Sequence, residues 1–158
     1  MLVAGFAAAL VAAPVSSQRP DHQINPVSLE LVEAGEAHLV AGRFIEADDS
    51  LELALVVDPR NRAAFIALAR VAQKQKLFGQ AIRYTRKALA LEPNDTEALA
   101  VQGEAMVELG AVSKARENLT KLQRLCPSGC AQLAQLSAAI TRGPTVAAVE
   151  PRQAAQTN

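Results

Sequence analysis

The residues best equipped for chemistry are Cys126 and Cys130, the two cysteines of the chain, in the run Cys126-Pro127-Ser128-Gly129-Cys130. Two thiols this close can join in a disulfide, exchange electrons with another dithiol, or hold a soft metal such as Cu(I). Residues four apart on a helix lie about 6 Å apart at Cα, inside the range a disulfide spans. Pro127 and Gly129 break the helix and add freedom to adjust. A structural disulfide is therefore the favoured reading. A redox pair would more commonly have two intervening residues and a βαβ setting, whereas three residues intervene here. A metal site would need further ligands, and no His or Met stands beside the pair in sequence. These two readings, and a third in which the thiols stay free and buried, remain open on the sequence.

Little else suggests catalysis. His22 and His38 are isolated, and Asp48-Asp49 sits near a helix start, where acids suit the helix dipole. The chain shows no Ser/His/Asp order, metal-ligand run, phosphate loop or glycine fingerprint. The expectation is a non-enzyme with no cofactor and no metal. Sixteen Lys+Arg balance sixteen Asp+Glu, so the chain as a whole has no charge to draw it to nucleic acid. Arg83, Arg86 and Lys87 form the one dense basic run, with Tyr84 as its only nearby aromatic.

The elements that place these residues are set by a period. Pro59, Pro93 and Pro127 recur every 34 residues, as do Ala47/Ala81/Ala115, Gly35/Ala69/Gly103, Ala54/Ala88/Leu122 and Leu31/Phe65/Leu99. A fixed period of this size marks a stacked helical repeat, an all-α architecture. Each unit carries two apolar-periodic stretches: Ser28–Ala41 and Phe44–Val57, Arg62–Gln75 and Phe78–Leu91, Thr96–Leu109 and Val112–Leu125. The small residues lie mid-helix, where they let a partner helix come close. Each proline ends a second helix, because it lacks an N–H and clashes with the preceding turn. Asn61 and Asp95 are expected N-caps. Gly42 and Gly110 fall in the turn within a unit, and Lys76 takes that place in the middle unit.

From Ser28 to Gly129 these columns resemble the tetratricopeptide repeat (TPR) family. The resemblance implies a right-handed superhelix of three helix-turn-helix units (28–61, 62–95 and 96–129). The family's bulky positions are light here: Leu31, Phe65 and Leu99, then His38, Ala72 and Met106. A Cys-Pro-x-Gly-Cys segment after the last unit also resembles short exported bacterial TPR proteins. In this family the first helices line a concave groove that binds a peptide or protein. The register carries that role onto Leu29, Val32, Glu36 and Leu39 of the first unit, and onto Ala63, Ile66, Arg70, Gln73 and Lys74 of the second. From the third it takes Glu97, Ala100, Val101, Glu104 and Val107. Family members that clamp a terminal carboxylate present Lys, Asn and Arg. The matching places here include Val32, Glu36, Ala67, Glu97 and Val101, so that clamp is absent.

The ends read separately. Leu2 to Ala13 is apolar but shorter than the roughly 20 residues that cross a bilayer. With small residues before Gln18 it fits a signal peptide at residues 1–17, hence export to a bacterial periplasm without membrane insertion of the mature chain. Residues 18–27 look like an extended lead-in. Ser128–Arg142, with Leu133, Leu136 and Ile140, is a one-sided helix suited to cap the stack, its core at residues 130–142. Residues 143–158 carry no pattern and are expected to be disordered. The first unit is acidic and the second basic, which allows internal complementarity or self-association. The sequence thus points to an interaction scaffold. A self-associating envelope component and a thiol or metal handler are the alternatives.

Overall fold

The structure is a computed structural model and describes residues 23–145. The expected leader, residues 18–22 of the lead-in and residues 146–158 of the tail lie outside the described residues. Seven helices follow in order: α1 (Pro26–Val40), α2 (Phe44–Val57), α3 (Arg62–Lys74), α4 (Phe78–Leu91), α5 (Thr96–Glu108), α6 (Val112–Leu125) and α7 (Ala131–Arg142). They pack as sequential pairs.

Side chains set the helix starts. Asn61 and Asp95 accept from the N–H of Ala64 and Ala98, so both expected N-caps are present. Asn25 does the same for Val27 N. It starts α1 at Pro26, not at Ser28, with proline in the first turn, where no N–H is needed. The second helices end at Asp58, Glu92 and Cys126, each followed by its proline. Within the units the chain reverses through positive φ at Gly42 (73°), Lys76 (62°) and Gly110 (75°). Lys76 holds this shape despite its Cβ, a strain that glycine avoids.

The repeated small residues are fully buried: Ala47, Ala81, Ala115, Ala54 and Ala88, with Leu122 completing the last column. A Cβ on Gly35 would fall 2.5 Å from Leu51 Cγ, so glycine is what allows α1 to sit on α2. Two sets of buried polar groups are paired across the helix contacts. Ser28 Oγ donates to Ala54 O at 2.7 Å, and Asn61 Nδ2 donates to Ser28 Oγ at 2.8 Å. Further along, Gln102 Nε2 donates to Thr85 Oγ1 and Asn118 Nδ2 to Gln102 Oε1. Such satisfied networks fix one register where an alanine-rich core alone would tolerate sliding.

Two features decide what the stack presents. First helices of neighbouring units pack on one another, α1 on α3 and α3 on α5, while among the described residues no Cα of α2 comes within 8 Å of one of α4, nor any of α4 within 8 Å of one of α6. The stack therefore curves toward its first helices. α7 departs from this scheme. Among the helices before it, a new first helix within the repeats packs chiefly against the preceding second helix, whereas α7 packs chiefly against α5 and secondarily against α6. Its Leu136 is fully buried and fills the place where Gly103 lacks a Cβ.

Candidate functional site

Arg70 on α3 marks the inner face. Its guanidinium pairs with Glu97 of α5 and stands 3.9 Å from Glu36 of α1, so the first helices of all three units meet at one cation. One turn further along α3, Gln73 Nε2 donates to Val101 O at 3.0 Å and lies 3.5 Å from Glu104 Oε2. Lys74 is exposed beside it. Glu36, Arg70, Gln73, Glu97 and Glu104 thus share a surface that spans the stack. At its α5 edge Thr145 donates both its N–H and its hydroxyl to Glu108 Oε2, each at 2.8 Å.

The apolar residues assigned to this face lie deeper than their polar neighbours. Val32, Ile66, Ala100, Val101 and Val107 are buried in the chain's own core. Leu29 is exposed and Leu39 half-buried. Sequence periodicity marks a residue as facing the first-helix side, but only the approach of α1 to α3 and of α3 to α5 decides which side chains are covered. What the face offers is mainly charge and amide. Acidic side chains Glu36, Glu97 and Glu104 outnumber the basic Arg70 and Lys74 by one, and the charge of Arg70 is shared between two of the acids.

The cysteines lie at the far end. Cys126 and Cys130 are joined, with their Cα atoms 5.8 Å apart, and no cysteine is free. The bond closes the α6–α7 turn, where Gly129 has φ of 89°. Among the described residues no cluster of His, Cys, Asp or Glu could hold a metal ion. No helix among them is long and apolar enough to cross a membrane. His38, from the family's bulky position, is half-buried.

The joints carry their own electrostatics. Asp58 takes three hydrogen bonds from Arg60 and one from Asn25 N, and the Arg60 bonds hold its carboxyl below the usual range. Burial raises Asp48 above it, opposed by the hydrogen bond from Gln75. Arg62 and Asp95 pair at 2.6 Å across the second unit.

Paired helices with this stacking define the TPR-domain fold, and solved TPR domains match it. The first TPR of Spaghetti (RPAP3) bound to HSP90 peptide SRMEEVD has a TM-score of 0.65 and 24% identity, covering 73% of this chain and 96% of that one. The TPR2B domain of yeast Sti1, in a complex with pHsp70, gives 0.66 at 19% identity over 75% of this chain and 98% of that one. The Sgt2 TPR domain of Aspergillus fumigatus gives 0.68 at 19%, over 75% and 79% respectively. No protein-family model matches the chain. One curated relative, Cellulose synthase 2 operon protein C of Komagataeibacter xylinus, is 36% identical over 83 residues, 52% of this chain. The chain spans 6% of that protein's length.

Proposed function

We propose that this chain is a non-catalytic interaction module that binds an extended or helical peptide segment along α1, α3 and α5. The observation that carries the proposal is the Glu36–Arg70–Glu97 cluster, in which polar side chains from all three units converge on one face. Several solved domains of this fold hold peptides, and the first TPR of RPAP3 holds one rich in acids. The face here has the opposite bias. Glu36, Glu97 and Glu104 favour a segment bearing Lys or Arg, with Leu29 and Leu39 as apolar contacts. The disulfide fits an exported chain, since such bonds persist in oxidising compartments. The mature protein then begins near Gln18 and works in a bacterial periplasm.

The test is a peptide-display selection against the full chain, followed by titration calorimetry of the selected peptides. The expected hits are basic, and Glu36→Lys with Glu104→Lys weakens them about tenfold or more. Acidic hits, or binding indifferent to both substitutions, would remove the face from consideration.

A further inference from the structure

The outer face of the second helices carries a pattern that the inner-face reading does not use. The outward stripe of α2 is Ile45, Asp49, Glu52 and Val56, and one period later the stripe of α4 is Gly79, Arg83, Arg86 and Ala90. The shared spacing of four, three and four residues aligns each set along one helix face. All eight residues are exposed, Ile45 to 75% and Val56 to 77%. On α2 two large apolar side chains bracket two carboxylates. On α4 two small residues bracket two guanidiniums. The stripes are complementary in both size and sign.

This complementarity is not satisfied within the chain. No Cα of α2 comes within 8 Å of one of α4, and no side chain of Asp49, Glu52, Arg83 or Arg86 enters an ion pair or hydrogen bond among the described residues. The two helices stand side by side on the convex surface, so another molecule can reach both.

We propose that a second copy of this chain docks here, forming a two-fold dimer. The axis runs along the helices, midway between α2 and α4. That operation lays α2 of each copy on α4 of the other and preserves height along the helices. Residues one period apart in the sequence then face each other: Ile45 against Gly79, Asp49 against Arg83, Glu52 against Arg86 and Val56 against Ala90. Both contacts form at once, so the assembly closes at two copies and does not grow into a filament. The alternative two-fold, across the helices, would set α2 against α2 and the four acids against one another.

Sedimentation equilibrium of the full chain, up to about 1 mM, reads the association directly. The expected result is a monomer–dimer equilibrium that weakens as salt rises from about 0.05 to 0.5 M. The pair Asp49→Arg/Glu52→Arg should weaken dimerisation about 100-fold or more, and so should Arg83→Glu/Arg86→Glu, because each sets like charges in contact. Mixed together, these two variants should form a one-to-one heterodimer. The fourfold swap should dimerise with itself again. All substituted residues are exposed, and unchanged thermal melts will show that folding is intact. A wild-type chain that stays monomeric overturns the proposal. So do variants that dimerise as before, or charge-reversed partners that fail to pair when mixed.

Discussion

Replacing Gly103 by alanine should destabilise the protein in its native background and stabilise it once Leu136 is shortened. The added Cβ would lie 2.6 and 2.7 Å from the δ-carbons of Leu136 and 3.2 Å from its Cγ. Leu136 is fully enclosed, so it cannot swing aside, and α7 must shift on α5. Overpacking of this kind costs about 1–3 kcal/mol. Exchanging glycine for alanine inside a helix returns about 1 kcal/mol. The balance is a net loss of ~1 kcal/mol. Leu136→Ala alone should lose about 2–5 kcal/mol through the cavity it leaves. In that background the new methyl meets space, and the helix-forming gain of about 1 kcal/mol stands unopposed. The sign of the Gly103 effect therefore reverses, with a coupling of about 2 kcal/mol between the two positions. Urea unfolding of the four proteins, followed by far-UV circular dichroism, measures the cycle. A native-background Gly103→Ala that gains stability would show that α7 does not seat on Gly103.

Three further outcomes follow from the geometry. Replacing Cys126 and Cys130 by serine should cost only about 2 kcal/mol, since the closed loop is short. Hydrogen exchange should quicken in α7 while α1–α4 stay protected, and free alkylation of both thiols in unreduced native protein would refute the pairing. Lys76→Gly should stabilise by about 1 kcal/mol by relieving the positive-φ strain, and a lower melting temperature would contradict it. For Asp58, held below the ordinary value of 3.8, the stabilising contribution is full above that value and fades as pH falls through the lower folded one. Asp48 has the opposite sign, since its raised value makes protonation favourable to the fold as pH falls toward 3.8. Acid melts of Asp58→Asn should therefore converge on the wild type, while Asp48→Asn should be the more stable protein at neutral pH and lose that advantage in acid.

The repeat was legible because its marks are local. Proline after Asp58, Glu92 and Cys126, caps at Asn61 and Asp95, and four small or apolar columns state the helix ends and the touching faces in residue types alone. The α1 start was equally local: Asn25-Pro26 is a cap followed by a first-turn proline, masked by the polar, proline-bearing stretch in which it sits. The proposed binding face was legible as a side but not as a surface. Val32, Ile66 and Val101 have the spacing of groove residues, yet their burial depends on how closely the first helices approach. The seating of α7 was hidden for the same reason. Leu136 reads as any apolar residue of a one-sided helix, and nothing in its neighbourhood names Gly103, 33 positions earlier, as its socket.

The departure of α7 from the repeat scheme has a consequence for how such a chain can change length. A unit copied between α2 and α3, or between α4 and α5, meets the same joint it left, because each side presents a second helix to a first. Nothing can be copied in after α6 on those terms, since the space beside α5 is already taken by Leu136 and the turn is locked by Cys126 and Cys130. The last unit and α7 are thus inherited as a block. Growth by duplication is confined to the amino-terminal side of that block, where each joint sets a second helix against the next first helix.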